Sequence, residues 1–492
     1  MSNQRPISRT AGSSKSITRR RFVRAAGAAG ISITLAGCSQ NGDGSGDGSG
    51  DEGGDGGQGT GTTTGSPASG NQYDGVTVRY WDVHHSQSAA AKEAIQNLIS
   101  EFEDETGATI ESNFDSVGNY AGTKWISSFK RGDIPDIMTG FSHVDGKFIE
   151  DEFLQQYDQY SENFDQETRD GIEWITDTVD YASRMWDGIY AFPFAFSPKN
   201  PLIARTDHFE EAGLDPENDF PPENYEDLIE VATTLQQDGP GDLEFQIHGT
   251  ESDWLEITNP LAVSIGGRDG AFMNEAADDT TIDNETWKET IRNWVAVYQE
   301  HGLSSGGTPN ANDEDIPALM RSGQVSMSQV APANHPSFMD QAGDLMKDGT
   351  IQWAPMWDQP SGKRGAFLLA TVAITKPTGN GNEKSKKAAS RFVNKLLSAD
   401  FQESILQNFG YLPVRDNVWD ATKSNVTGES GHKFAETAFS MAEDINVAWS
   451  FHPKQRPCMV TPASHMQRAL QGEISPEQAC QEAAEEIRNT VL

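Results

Sequence analysis

The sequence predicts an α/β fold from three observations: an alternating strand at its start, an amphipathic helix after it, and a second strand before another apolar run. Val76, Val78, Tyr80 and then Trp81 alternate as a short strand. From Ser88 a helix follows whose Ile95, Leu98, Ile99 and Phe102 share one face, and Gly107 ends it. Thr109 to Phe114 returns as a strand, and strand, helix, strand is the pattern of a parallel sheet with crossover helices. The run from Gly132 to Met138 adds a buried strand that enters a loop, Gly140 to Gly146. In open α/β sheets ligands bind beyond the carboxyl ends of strands, so this loop and Trp81 to Ser86 are site candidates. Further on, Asn284 to Glu300 reads as a helix with Trp287 and Trp294 as packing residues. Gly302-Leu303-Ser304-Ser305-Gly306 matches a nucleophile-elbow spacing, but it follows that helix instead of a strand, and so reads as a helix-ending turn.

At 492 residues, 36% hydrophobic and 9% aromatic, the chain is long and apolar enough for two or three domains with real cores. Its 74 Asp and Glu against 37 Lys and Arg make a formal charge of −37, a field that repels phosphate backbones and anionic lipid heads. Seven of the basic residues precede residue 38, where there is no Asp or Glu, so the remainder is more acidic still. Such an excess of carboxylates fits a salt-adapted protein. At about 1 M salt the Debye length falls to about 3 Å, which screens self-repulsion.

Residues 1–37 read as a signal peptide. Arg19-Arg20-Arg21-Phe22 is a twin-arginine pattern, followed by thirteen small or apolar residues from Ala25 to Gly37. Leu35-Ala36-Gly37-Cys38 resembles the lipobox of exported lipoproteins, which implies lipidation of Cys38 and a membrane anchor. Residues 38–72 form a Gly/Asp/Ser/Thr-rich tether that lacks the apolar residues needed for a core. Outside the cell Cys458 and Cys480 have the opportunity to pair. Asn284-Glu285-Thr286 and Asn425-Val426-Thr427 have the form of glycosylation acceptors.

Several motifs of the body carry a resemblance. Trp81 ending the first strand, the Phe102 to Gly107 helix end, and Gly132-Asp133 before Pro135-Asp136-Ile137 resemble the extracellular solute-binding proteins of ABC importers, the maltodextrin-binding protein family. Gly188 to Pro193, His208 to Asp215, Tyr225 to Leu235, Gly323 to Ser328, Gly365 to Thr375 and Gly410 to Val414 continue the match in order. The resemblance implies a hinged, two-lobe periplasmic-binding-protein fold with a ligand cleft. Residues 73–196 plus 362–413 would form lobe 1, and 197–361 plus 414–492 lobe 2. It further implies an extracellular, lipid-anchored monomer without cofactor or enzymatic activity, delivering a sugar or oligosaccharide to a membrane permease and its ATPase.

Sugar recognition asks for aromatic platforms and for polar groups that pair hydroxyls. By the family's loop positions the ligand-facing candidates are Trp81, His84, Ser142, His143 and Asp145 on the first wall. Ser197, Trp254, Asn334 and Phe367 are those of the second wall and the crossings. Lys199, Arg364 and Arg456 are the basic residues that would bring charge to such a cleft. A metal site at His84, His85 and His143 lacks a helical His pair or a nearby cysteine. The alternatives are an exported glycoside hydrolase, or the same fold binding a metal chelate, polyamine or polyol phosphate.

Overall fold

A computed structural model describes residues 72–85, 88–199, 201–250, 254–356, 367–376, 383–426, 428–442 and 449–492, with backbone alone for 254–257. The leader, Cys38 and nearly all of the tether lie outside these residues, as does Arg364.

The first strand, β1 (Thr77–Asp82), leads into the helix Ala89–Thr106. Ser88 Oγ accepts the Ala91 N–H at 2.9 Å and caps that helix. Gly107, at φ 71°, closes it by donating to the Glu103 carbonyl. The buried face of Ile95, Leu98 and Phe102 then returns the chain to β2 (Thr109–Phe114), which runs parallel to β1 in the register Thr77 opposite Thr109. β3 (Ile137–Phe141) adds to the other side of β1, again parallel.

The remaining strands alternate in direction. β4 (Phe192–Pro198), β9 (Phe367–Ile374) and β10 (Leu412–Pro413) complete a six-stranded sheet in the order β10-β4-β9-β3-β1-β2, with antiparallel pairing from β3 outwards to β10. Every residue of β9 is buried, as befits a central strand covered on both faces. β5 (Leu202–Arg205), β6 (Leu243–Gln246), β7 (Val325–Gln329) and β8 (Ile351–Ala354) form a second sheet in the order β6-β7-β5-β8. Two sheets built from interleaved stretches of chain make two lobes.

The chain passes from the first sheet to the second between β4 and β5, at Lys199. Its later return differs from the boundary expected at residue 413. Trp174 Nε1 donates to the Val414 carbonyl at 2.7 Å, and buried Arg415 pairs Glu167 and donates to the Leu397 carbonyl. The segment after β10 therefore stays with the first lobe. The helix Glu429–Ala442 then joins the second, where Thr437 Oγ1 donates to the Trp353 carbonyl. Phe451 touches the first lobe once more, donating to the Ala182 carbonyl and accepting from Trp186 Nε1. The terminal helices Ala463–Leu470 and Pro476–Thr490 pack beside the helix Glu285–Gln299, with Gln299 Nε2 bonded to the Ala469 carbonyl.

Trp287 is wholly buried in that helix and its Nε1 donates to the Ala271 carbonyl, as packing requires. Asn284 caps the helix, and its Nδ2 is already bonded to the Asp269 carbonyl at 2.8 Å. Cys458 and Cys480 are buried free thiols that do not pair. Burial pushes each up to about 12, the unreactive state of a thiol in apolar surroundings.

Candidate functional site

The carboxyl end of β3 differs from the expected loop. Phe141 passes straight into the helix Ser142–Glu150, so Gly140 to Gly146 is half strand end and half helix. This helix lies directly on the returning chain, and a Cβ at Gly146 would fall on the Phe451 carbonyl and the His452 backbone. Its second turn therefore packs on the C-terminal segment at Phe451 and His452.

His143 is the centre of this junction. Its ring meets Trp449 edge-on, with centroids 5.0 Å apart, and Arg456 Nη1 donates to its Nε2 at 3.4 Å. The Lys199 ammonium stands 5.7 Å from the Trp449 ring centroid. Trp449 Nε1 donates to Asn259 Oδ1 at 2.7 Å, and its backbone N–H reaches the Phe367 carbonyl at 3.4 Å. Trp449 thus joins β9, through its backbone, and the helix of His143, through its indole, to the helix Trp254–Gly266 in the second lobe.

Burial, with repulsion from Arg456 and Lys199, holds His143 well below the usual imidazole range, so it is neutral. With Nε2 accepting from Arg456, the ring proton is on Nδ1. That Nδ1 and the neighbouring Ser142 Oγ are buried without a hydrogen-bond partner among the described residues. A buried polar atom left unpaired costs about 1–3 kcal/mol.

Beside this junction a cavity of about 200 Å³ opens between Tyr181 and Arg184 of the first lobe and Asn259, Arg268 and Phe272 of the second. Trp449, Ser450 and Gln455 complete its wall. The Arg184 and Arg268 guanidiniums stand 4.4 Å and 4.5 Å from the Tyr181 ring centroid. Arg184 Nε also donates to the Glu275 carbonyl, a polar clasp between the lobes.

The other sequence candidates divide. Phe367 and Ser197 are buried strand residues near the junction: Phe367 pairs Pro198, and Ser197 Oγ donates to the Pro198 carbonyl. Phe367 offers its carbonyl to Trp449 while its ring packs on Phe196. His84 lies beneath, with Nε2 bonded to the Gly140 carbonyl and its ring among Phe141, Phe194 and Tyr411; burial lowers it to about 4.

Trp81 does not present a platform in this structure, because its indole is buried edge-on against Trp125 and Phe129. Asp145 turns into the lobe, where Tyr120 donates to it at 2.5 Å and Thr371 donates to its other oxygen. Asn334 Nδ2 donates to Asp313 at 2.8 Å. Trp254 opens a helix, but its side chain lies outside the described residues. Among the described residues no group of His, Cys, Asp and Glu is arranged for a metal, and no helix is long and apolar enough to cross a membrane.

Trp449, Asn259, Tyr181, Arg184 and Arg268 were not foreseen. Each comes from a stretch remote in sequence and carries no local motif; Trp449 is one of 11 tryptophans.

Asp145 makes a pH test of its buried position. Burial pushes its carboxyl up to about 7, against the partial pull of the Thr371 and Tyr120 hydrogen bonds. The folded state therefore holds a proton that the unfolded chain releases near pH 4. The associated stability is complete below that pH and falls as pH rises through about 7, a loss of order 4 kcal/mol. Urea unfolding at a series of pH values is expected to show this decline, and Asp145→Asn to flatten it.

A family model described as "Bacterial extracellular solute-binding protein" matches residues 85–403. A putative binding protein of Brucella abortus is 25% identical over 308 residues, 60% of this chain and 61% of that protein; a Brucella suis counterpart matches equally. The chain thus spans about three fifths of the length of these curated relatives. Among solved structures, a solute-binding protein from Thermotoga lettingae bound with α-D-tagatose superposes with a TM-score of 0.68 at 19% identity, over 85% of this chain and 100% of that one. The cyclic α-maltosyl-1,6-maltose binding protein of Arthrobacter globiformis gives 0.65 at 17% identity, over 85% and 99%. An Agrobacterium radiobacter solute-binding protein in complex with ribitol gives 0.63 at 19%, also over 85% and 99%. At these identities the likeness is one of fold: two α/β lobes about a cleft.

Proposed function

Because the chain belongs to the bacterial extracellular solute-binding proteins, we propose that it is the receptor of an ABC importer and captures a carbohydrate or polyol between its lobes. The observation that carries this reading is the His143 to Trp449 junction. There the first lobe, the second lobe and the C-terminal segment meet beside polar atoms that have no partner among the described residues. A ligand that bonds Ser142 and His143 and touches the Trp449 side of the cleft contacts both walls at once. Closure is then stabilised by the ligand's differential contacts with the closed state.

The chemistry of the wall suits hydroxyl groups. Neutral His143 offers an N–H, Ser142 a hydroxyl that donates and accepts, and the indole an apolar face. Tagatose, ribitol and a cyclic maltosyl-maltose are the ligands named for the similar structures, and all are polyhydroxylated. Membership of a binding family makes the chain a receptor and not a hydrolase. The twin-arginine leader, Cys38 and the tether complete the proposal: folded export, a lipid anchor on the outer face of the cell membrane, and delivery to a permease pair driven by its ATPase.

A screen of sugars, polyols, polyamines and metal chelates by thermal shift and tryptophan fluorescence in molar salt tests this. A ligand at a hundred times its dissociation constant adds about 2.7 kcal/mol to stability. Saturable stabilisation by one carbohydrate or polyol class, with the ligand recovered unchanged, is expected. A response to cations or chelates alone would overturn the sugar reading, and turnover of a chromogenic glycoside would overturn the receptor reading.

A further inference from the structure

Beside the His143 junction the two lobes meet at one aromatic ring. Tyr181 lies in the helix Thr176–Ala182 of the first lobe. The Arg184 guanidinium folds back onto its ring, and Arg184 Nη1 donates to the Tyr181 carbonyl at 3.0 Å. Arg268 comes from the second lobe, out of the short turn Gly267–Gly270 that follows the helix Trp254–Gly266, and stands 4.5 Å from the same ring centroid.

What crosses between the lobes here is short-ranged. Arg184 Nε donates to the Glu275 carbonyl at 3.2 Å, whereas the Glu275 carboxylate is held at 3.2 Å by Arg268 of its own lobe. One crossing contact therefore acts on the quadrupole of a ring and the other on the dipole of a peptide, and neither is an ion pair. At about 1 M salt, where the Debye length is about 3 Å, a surface ion pair across the lobes would lose most of its small strength. A guanidinium in contact with an aromatic face leaves no room for intervening salt and keeps its attraction.

We propose that Tyr181 and Arg268, together with Arg184, form a salt-tolerant latch that holds the lobes in their closed arrangement. They are positioning residues of the receptor, acting on solute capture through closure. This consequence rests on the receptor reading: where only the closed arrangement binds, apparent affinity for any solute scales with the closed fraction that the latch maintains.

The closed fraction is measured without solute, from the distance between spin labels at Glu162→Cys in the first lobe and Glu289→Cys in the second, both exposed positions. The full chain carries Cys38→Ser, and Cys458 and Cys480 are buried thiols that take no label. Arg268→Ala is expected to raise the ratio of separated to closed populations about two- to fivefold, and Arg184→Ala with Arg268→Ala roughly tenfold. Tyr181→Leu, which removes the ring, should match or exceed Arg268→Ala, whereas Tyr181→Phe, which keeps the ring, should match the parent. The effect of Arg268→Ala should be the same at about 0.5 M and about 2 M salt. The Arg268 side chain is 56% exposed, so its variant keeps the test open if a Tyr181 variant fails to fold. An unchanged distribution in the double arginine variant, a Tyr181→Phe shift as large as that of Tyr181→Leu, or an Arg268→Ala effect that vanishes at the higher salt would overturn the proposal. Failure of the carbohydrate screen would bear on the receptor reading alone, because these distances are read with no solute present.

Discussion

Trp449→Ala is expected to cut affinity for the carbohydrate or polyol at least about 100-fold, near 2.7 kcal/mol, because this side chain joins the His143 helix of the first lobe to Asn259 of the second. The substitution removes the edge-on contact with His143, the 2.7 Å bond to Asn259 and the surface beneath the Lys199 ammonium. Emptying a buried tryptophan also costs about 3–5 kcal/mol in stability. Trp449→Phe separates the two effects, since it keeps most of the volume and loses the bond to Asn259. Calorimetry on the ligand found by the screen, beside urea unfolding of each variant, provides the measurement. An alanine variant that stays folded and binds within about twofold of the parent would exclude the junction as the binding site.

Asp82→Ala is expected to destabilise the first lobe by about 3–5 kcal/mol, the usual result of removing one partner from a buried charged network. Asp82 is wholly buried at the end of β1. It accepts from the Thr139 hydroxyl at 2.6 Å, the Tyr80 hydroxyl at 3.0 Å, and both the backbone N–H and Nδ1 of His85 at 2.8 and 2.9 Å. Burial alone would push its carboxyl up, but the His85 bonds, the nearby His84 and the Thr139 bond bring it below the usual carboxylate range. Its contribution is therefore present above the unfolded value near pH 4 and lost as pH falls through the folded value. That window lies on the acid side of the one governed by Asp145, so urea unfolding from pH 2 upwards resolves the two. Asp82→Asn, which retains an acceptor, should cost less than alanine. Equal stability of the alanine variant and the parent would mean that the network is not holding β1 to β3.

The first lobe's elements were legible because each signal is local. The Ser88 cap, the apolar face through Phe102 and the left-handed stop at Gly107 all act within one helix, and they appear where the sequence places them. The stretch from Gly140 to Gly146 was not legible. Glycines and small polar residues read as a loop, whereas the contact of Gly146 with the Phe451 and His452 backbone rewards a helix there. Asp145 followed from the same error, because a helix turns every third or fourth residue inwards, and this one falls between Tyr120 and Thr371.

By itself the sequence determined the acidic charge and the α/β alternation. Periodicity, caps and motifs span a few residues, and such patterns need no knowledge of what lies across the molecule. Only the tertiary structure decided that Lys199, Asn259, Trp449 and Arg456 converge on His143, while Trp81 and Asp145 are consumed by packing inside their own lobe. The physical reason is that a cleft residue is defined by its neighbours. Two of the neighbours of His143, Trp449 and Arg456, come from more than 300 residues further on.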